Sequence, residues 1–175
     1  LTKADAGTWT MSGASTYTGT TTVSAGSLVA GRAGNAFGAT TAAMAVNGGT
    51  LNLGSYSQTL GAVSIGTTGG SITGTTGVLT GSSFTFNNTT GNAVTVSAIL
   101  AGTGGVTQAG SGVSTLSGAN TYSGDTTMTS GTLTAGSSAT VFGSGNISVN
   151  GGTLAIAGFS VSVANVSVGE AGGGI

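Results

Sequence analysis

The chain has no cysteine, no histidine and no proline, and five of its 175 residues are charged. Without cysteine and histidine it cannot form the usual zinc sites or a Cys- or His-dependent nucleophile. A net charge of −1 gives no electrostatic footprint for nucleic acid or an anionic membrane. No apolar run approaches the roughly 18 residues of a membrane-spanning helix. These absences predict no cofactor, no metal, no nucleic-acid partner and no membrane insertion by this segment.

Glycine and short apolar alternations take the place of the missing residue types. The chain contains 36 glycines, yet 38% of its residues are apolar, which is too many for a disordered linker. Good helix formers are scarce among the frequent Gly, Ser and Thr, which argues against long helices. Apolar and polar residues alternate in pairs, as in 153–156, and this pattern is typical of β-strands. We therefore predict an all-β fold.

The strongest pattern is an internal repeat. MSGASTYTGTTTVSAGSLVAG, residues 11–31, recurs as LSGANTYSGDTTMTSGTLTAG, residues 116–136, with 12 of 21 positions identical. The pairing runs without a gap from residues 1–38 to residues 106–143. It then slips by two residues and resumes, so that VNGGTLNL at 46–53 matches VNGGTLAI at 149–156. A spaced copy of this kind is typical of repeat architectures.

The repeat divides the chain into a superrepeat of about 105 residues and a truncated second copy. We predict a first superrepeat over residues 1–105 and a second over residues 106–175, continuous in one solenoid. Because the sequence opens in mid-pattern and shows no signal peptide, the chain is expected to be processed or a fragment.

Short strands between Gly, Ser and Asn corners suit a coil of three strands that takes about 20 residues per turn. Eight such coils, stacked at roughly 4.8 Å, would form a rod about 40 Å long. Predicted strands lie at 8–11, 20–24, 27–30, 77–80, 83–87, 93–97, 113–116, 125–129 and 132–135. Asn-Gly pairs also favour hairpins, so an antiparallel sandwich stays open as the alternative. The residues predicted to fill the core are Leu28, Val46, Leu51, Leu53, Val63 and Ile65.

Both copies resemble the passenger-associated repeat of bacterial autotransporters, whose pattern is approximately L-x-K-x-G-x-G-x-x-x-L-S-G-x-N-T-Y-x-G-x-T-x-V-x-x-G-x-L. The match covers Leu1 to Gly31 and Val106 to Gly136. Asp5 stands where the pattern has glycine, and Ser15 replaces an asparagine that the second copy keeps as Asn120. The resemblance implies a right-handed parallel β-helix that is exported through the outer membrane and displayed on the cell.

Eight residues of the two copies are predicted to hold the repeat together rather than to carry chemistry. Their glycines would form corners, their leucines would fill the core, and each tyrosine would cover a coil corner with its ring and cap a turn with its hydroxyl. A glycan-binding role for the aromatic rings is the alternative interpretation. The eight residues are Tyr17, Gly19, Gly26, Leu28, Tyr122, Gly124, Gly131 and Leu133.

The three acidic residues, Asp5, Asp125 and Glu170, do not recur between the copies. Hydrolases and lyases on β-helices need clustered carboxylates or a basic residue beside a metal-binding set of aspartates. We therefore predict no enzyme activity and interpret the acids as single solvated charges at coil corners. Two of them would have to meet in space to form a site.

Ice binding is a further hypothesis, because threonine alternates over residues 16–22. An ice-binding solenoid needs threonine on one face of every coil. The second copy places Ser123 and Asp125 in the run, and neighbouring coils show no fixed T-x-T, so the sequence argues against it.

These observations predict a non-enzymatic, extracellular stalk or adhesin-like segment at a bacterial cell surface. With open β edges and almost no charged gatekeepers, it is expected to self-associate end to end or laterally. A host or surface glycan or protein is a second possible partner. The alternative functions are a subunit of a homopolymeric fibre and a glycan- or ice-binding module.

Overall fold

The structure is a computed structural model that describes residues 1–137, 140–169 and 173–175. Its 20 strands form three sheets, and the described residues contain no helix. The nine-stranded sheet contains β1 Thr2–Lys3, β3 Thr21–Val23, β5 Met44–Val46, β8 Ala62–Ile65, β11 Ser83–Phe86, β14 Val106–Gln108, β16 Thr126–Met128, β18 Ile147–Val149 and β20 Val166–Val168. The eight-stranded sheet contains β2 Thr8–Met11, β4 Ser27–Ala30, β6 Thr50–Asn52, β9 Gly70–Thr73, β12 Val94–Val96, β15 Val113–Leu116, β17 Thr132–Ala135 and β19 Thr153–Ala155. The three-stranded sheet contains β7 Gln58–Thr59, β10 Val78–Thr80 and β13 Ile99–Ala101.

Every strand pair is parallel, and each strand pairs with its counterpart one coil away. The number of residues in a coil is the separation along the chain between paired residues of neighbouring strands. In the nine-stranded sheet this separation is among the smallest between Met44 and Val63 and is largest between Thr21 and Met44. The fold is a parallel β-solenoid of about eight coils, as predicted. The antiparallel sandwich is wrong.

The prediction of three strands in every coil is wrong for most of the chain. Within the described residues, a strand lies on the third side only in the three coils that contain β7, β10 and β13. In the first coil of each repeat copy, residues 12–20 and 117–125 form this side as an irregular segment. The sequence motif that repeats most clearly therefore lies largely outside the sheets, where it makes side-chain contacts between coils.

The Asn-Gly pairs form corners between sheets and not hairpins. Gly48 follows β5 with φ of 109°, a conformation that favours glycine, and its N–H donates to Gly69 O at 2.8 Å in the next coil. Asn47 N–H donates to Val23 O in the previous coil, also at 2.8 Å. One dipeptide thus turns the chain and bonds to the coils on both sides.

The core is an apolar column inside the solenoid, and each coil from the β3–β4 pair to the β18–β19 pair adds side chains from both large sheets. All six residues predicted to lie in it are at most 1% exposed. Burying one such Leu, Ile or Val contributes roughly 1.5–3 kcal/mol. Because outward and inward positions alternate along such short strands, each coil has room for only a few of these side chains.

The two-residue slip between the copies lies in a loop. The loop between β4 and β5 spans residues 31–43, and its counterpart lies between the end of β17 and the start of β18. The strands on either side keep their parallel pairing. Both large sheets also continue across residues 105 and 106, while the division into two superrepeats stays a prediction.

No helix suited to crossing a membrane occurs in the part of the chain that the structure describes.

Candidate functional site

In the second copy, the repeated tyrosine begins a buried chain of hydrogen bonds. Tyr122 is fully buried, and its hydroxyl lies 2.7 Å from Thr126 Oγ1. Thr126 donates in turn to Phe142 O at 3.2 Å, so the single proton of its hydroxyl is used and Tyr122 must be the donor to it. The ring packs against Phe84 of the coil beneath, with centroids 6.4 Å apart. The tyrosine thus connects three coils.

The first copy contains the same series of hydrogen bonds, but one side of its tyrosine ring is uncovered. Tyr17 OH lies 2.9 Å from Thr21 Oγ1, and Thr21 donates to Phe37 O at 3.1 Å. Tyr17 is only half-buried, because β1 and β2 are edge strands and no coil lies beneath its ring. In both copies the hydroxyl bonds to a buried threonine side chain and not, as predicted, to a turn.

Burial raises the pKa of the Tyr122 phenol well above its usual value of about 10. A pKa that is higher in the folded than in the unfolded chain contributes stability below pH 10, which is lost as the pH rises further. We expect the free energy of unfolding to fall above about pH 10, by at most about 1.4 kcal/mol per pH unit for this group. Urea unfolding at pH 7, 9, 10 and 11 measures this, with Tyr122→Phe as the control. An equal fall in the Phe variant would assign the effect to other groups.

Asn120 bridges the coils above and below it. Its Oδ1 accepts from Leu100 N–H at 2.8 Å, and its Nδ2 donates to Val141 O at 2.5 Å. Ser15, its counterpart, makes only the upper of these bonds, from Oγ to Ala36 O at 2.9 Å. Among the described residues, the shorter serine thus bonds to one neighbouring coil where the asparagine bonds to two.

Asn120→Ala should therefore lower the free energy of unfolding by about 2 kcal/mol, because it leaves a buried N–H and a buried C=O without partners. Ser15→Ala, the matched change, removes one part-buried bond and should cost less than about 1 kcal/mol. Urea unfolding monitored by circular dichroism compares the two. Equal losses would show that the lower bond of Asn120 contributes nothing.

Three of the four repeat glycines leave no room for a Cβ against the coil beneath, and the fourth, Gly19, has open space around it. Gly26 and Gly131 turn the chain with φ of 62° and 66°, and a Cβ at either would overlap backbone oxygens of the coil beneath. At Gly124 a Cβ would lie 2.5 Å from Gly105 N. At Gly19 a Cβ would have no atom within 4 Å.

The two repeat leucines, Leu28 and Leu133, are fully buried in the core. They lie at equivalent positions of β4 and β17 in the eight-stranded sheet.

Lys3 is a buried charge that the sequence analysis missed. Its ammonium donates to Asp5 O, to Asp5 Oδ1 at 3.1 Å and to Ala25 O at 3.2 Å, and it lies 5.4 Å from the centroid of the Trp9 ring. The hydrogen bond from Lys3, followed by that from Gly7 N–H, lowers the pKa of the Asp5 carboxyl. Asp5 is thus paired and not a single charge, although its carboxylate is exposed.

In the second copy Gln108 occupies the position of Lys3. Its Nε2 donates to Gly110 O at 2.8 Å, as Lys3 donates to Asp5 O, and to Asn88 Oδ1 at 3.2 Å. Its Oε1 is buried without a partner among the described residues. The lysine in the family's repeat pattern is the sequence feature that could have predicted this contact, in which the side chain donates to a backbone carbonyl of the following corner.

The acidic residues form no common site within the described part of the chain. Asp125 is exposed at the corner before β16, where its Oδ1 accepts from Asn146 N–H at 2.9 Å, as expected of a single charge at a coil corner. Asp5 lies in the first coil, six strand steps away along the nine-stranded sheet. Glu170 lies outside the described residues. Among the described residues, no group of three or more Asp, Glu, His or Cys side chains is placed to hold a metal ion.

An open depression of about 440 Å³ lies on the third side of the first coils. Ser15, Thr16, Asn35 and Thr40 are among its lining residues, none of which is charged or aromatic. It offers no acid, base or nucleophile of ordinary strength.

A column of hydroxyl side chains runs along the outside of the eight-stranded sheet. One outward position is Ser or Thr in seven successive coils and Ala in the eighth, and none of the seven hydroxyls makes a hydrogen bond within the described part of the chain. The column consists of Thr8, Ser27, Thr50, Ser71, Thr95, Thr115, Thr134 and Ala155.

The column mixes Ser and Thr at a single position, which agrees with the expectation that neighbouring coils show no fixed T-x-T. The column takes one residue from each turn of the solenoid, so local alternation does not reveal it. Of the alternating threonines at 16–22, only Thr22 is an outward residue of a strand.

Comparison with known proteins agrees with this geometry. Residues 1–30 and 106–135 match the passenger-associated-transport-repeat. The two matched ranges coincide with the two copies found by self-similarity of the sequence. Each matched range comprises one coil and the β3–β4 or β16–β17 pair that follows it. The hydrogen bonds that start at Tyr17 and Tyr122 thus lie within the matched residues, apart from their last acceptors, Phe37 O and Phe142 O.

A curated relative is the adhesin BmaC autotransporter of Brucella suis biovar 1 (strain 1330), which is 44% identical over 91 residues. That match covers 52% of this chain but only 3% of the adhesin. No solved structure matches the chain.

Proposed function

We propose that this segment is a rigid, non-enzymatic stalk within a cell-surface adhesin of the autotransporter type. The observation that carries the proposal is the pair of passenger-associated-transport-repeats built into one uninterrupted solenoid. Parallel ladders from β1 to β20 and an apolar core along the axis give the segment length and stiffness. The similarity to an autotransporter adhesin supports an extracellular or cell-surface location.

A stalk needs self-supporting length and no ligand site of its own. The described residues present no acid cluster and no metal-binding group, and the repeat tyrosines use their hydroxyls within the fold. The segment would hold other parts of a longer protein away from the cell. With only five charged residues to oppose stacking, it would also self-associate.

Small-angle X-ray scattering and a binding screen test the stalk together. We expect a rod about 40 Å long, from eight coils at roughly 4.8 Å, and no saturable binding on a glycan array or to extracellular-matrix proteins. Saturable binding that survives addition of salt would contradict a passive stalk.

A ligand-binding module is the second candidate, and the hydroxyl column supports it. A charge-free row of hydroxyls spaced at about 4.8 Å suits a regular, uncharged partner such as ice or a linear glycan. An ice-recrystallisation assay with Thr95→Lys as the control tests it. Inhibition by the parent chain and its loss in the variant would favour this candidate over the stalk.

A further inference from the structure

We propose that a water molecule occupies a fixed site inside the solenoid, where it donates hydrogen bonds to Gln108 Oε1 and Ser114 Oγ. The site lies in the middle of the chain, where three fully buried polar side chains meet within the apolar core. They are Asn88, Gln108 and Ser114. This interior site goes beyond the proposed stalk, which needs no bound molecule.

The three side chains interrupt columns of the core that are otherwise apolar. Gln108 of β14 lies between Phe86 and Met128 in an inward column of the nine-stranded sheet, and both neighbours are buried. Ser114 of β15 pairs with the buried Leu133 in the eight-stranded sheet. Because a buried polar group costs free energy unless it is hydrogen-bonded, each donor and acceptor here is expected to have a partner.

The orientation of the Asn88 amide is fixed by backbone carbonyls. Asn88 Nδ2 donates to Asn92 O at 2.7 Å and to Val113 O at 2.9 Å. A flipped amide would direct its oxygen at these two acceptors, so Oδ1 is the atom that faces Gln108 and Ser114.

Every side-chain donor of the cluster is used. Gln108 Nε2 donates to Gly110 O at 2.8 Å and to Asn88 Oδ1 at 3.2 Å. Ser114 Oγ also donates to Asn88 Oδ1 at 3.2 Å. Together with the two bonds from Asn88 Nδ2, these bonds use all the N–H and O–H groups of the three side chains. Asn88 Oδ1 accepts twice, which matches its two lone pairs.

Two acceptors of the cluster are left without a donor. Gln108 Oε1 is buried and accepts no hydrogen bond within the described part of the chain. Ser114 Oγ has given its proton to Asn88, and no described group donates to it. The cluster is thus short of donors and not of acceptors. An anion can only accept and does not fit, whereas a water molecule brings two O–H donors.

A monovalent cation would also satisfy these oxygen atoms, but its buried charge would need a counter-ion. Lys3, the counterpart of Gln108 in the first copy, shows this requirement, because its ammonium donates to the Asp5 carboxylate. In the second copy Gly110 takes the place of Asp5, and a Cβ there would overlap Asn88 O. The site therefore favours a neutral ligand.

A depression of about 220 Å³ on the surface connects solvent with this region. Asn92 and Val113 are among its lining residues, and their carbonyl oxygens accept from the Asn88 amide. The Asn88 side chain thus has the depression at its Nδ2 and the proposed site at its Oδ1. Water has a short path to the site past this one side chain.

A crystal structure of the chain tests the site directly. We expect a peak of electron density within hydrogen-bond distance of Gln108 Oε1. Crystals soaked in rubidium chloride distinguish water from a cation, because rubidium scatters anomalously, and we expect no anomalous signal there. An anomalous peak would overturn the assignment of water, and the lack of any peak would overturn the site.

Gln108→Met tests the site in solution, because it removes the amide oxygen and nearly keeps the length of the side chain. Oxygen-17 relaxation dispersion of the solvent measures water held inside the protein, and we expect the variant to lose one long-lived water. Gln58→Met is the matched control. Gln58 is also buried, but its Oε1 already accepts from Ala36 N–H at 2.9 Å, so we expect no loss.

An unchanged dispersion in Gln108→Met would overturn the proposal. An equal loss in Gln58→Met would overturn it as well, because water would then leave with any buried amide and not with this site. Circular dichroism confirms that both variants fold. If Gln108→Met does not fold, the crystal structure of the parent chain decides by itself.

Discussion

Gly124→Val should lower the free energy of unfolding by at least about 3 kcal/mol, whereas Gly19→Val should change it by less than about 0.5 kcal/mol. The two glycines occupy the same position of the repeat. A Cβ at Gly124 would lie 2.5 Å from Gly105 N and 2.6 Å from Gly104 C, and both atoms are backbone that a neighbouring ladder holds in place. Around Gly19 the same volume is open.

Urea unfolding monitored by circular dichroism is the measurement, at protein concentrations low enough to keep both variants monomeric. Neither glycine has a positive φ, so the comparison isolates packing from backbone strain. A loss at Gly19 as large as that at Gly124 would mean that the glycine is needed for local conformation and not for contact between coils.

Tyr122→Ala should cost about 3–5 kcal/mol, the range for truncating a large buried aromatic side chain. The ring is fully buried, contacts Phe84, and orients the threonine that bonds to Phe142 O. Tyr17→Ala should cost clearly less, about 1–2 kcal/mol, because one side of the Tyr17 ring already faces solvent.

Tyr122→Phe separates the ring from the hydroxyl. It removes one hydrogen bond but leaves Thr126 able to donate to Phe142 O, so we expect a loss of about 1 kcal/mol. Denaturant unfolding of the three variants gives the comparison. If Tyr122→Phe cost as much as Tyr122→Ala, the hydrogen bonds of the hydroxyl, and not the packing of the ring, would be the main contribution of Tyr122 to stability.

Both predictions rest on one property of the fold. Equivalent residues of the two copies have the same side chain and local conformation but different neighbours, because one copy lies at an end of the stack and the other lies inside it. The energetic importance of a repeat residue is therefore decided by the coil beneath it.

The sequence predicted much of the secondary structure. Four strand predictions, at 8–11, 27–30, 113–116 and 132–135, agree with the structure at both ends, and those at 20–24 and 125–129 are one residue too long at each end. Glycine and serine corners and the alternation of apolar residues are local features of the sequence, and they were enough to place these six strands. The third-side strands β7 and β13 were missed because strands this short carry too little alternation to recognise.

Contacts between coils could not be predicted in this way. The bonds from Tyr122 to Thr126 and from Asn120 to Val141 depend on which residues are brought together after the chain has turned around the axis. The buried ammonium of Lys3 was missed for the same reason, since nothing in its neighbours along the chain marks the position as interior. The hydroxyl column is invisible locally because its successive members are a full coil apart.

The sequence by itself determined the all-β class, the length of a coil, the number of coils and the positions of the two repeat copies, since each follows from short-range alternation and from self-similarity at a fixed spacing. Only the tertiary structure decided which residues carry contacts between coils, which glycines are sterically required, and which surfaces remain uncovered. The physical reason is that stacking brings residues one full coil apart along the chain, such as Met44 and Val63, into direct contact. Neighbours of that kind depend on the register of every intervening corner, which no single stretch of the sequence specifies.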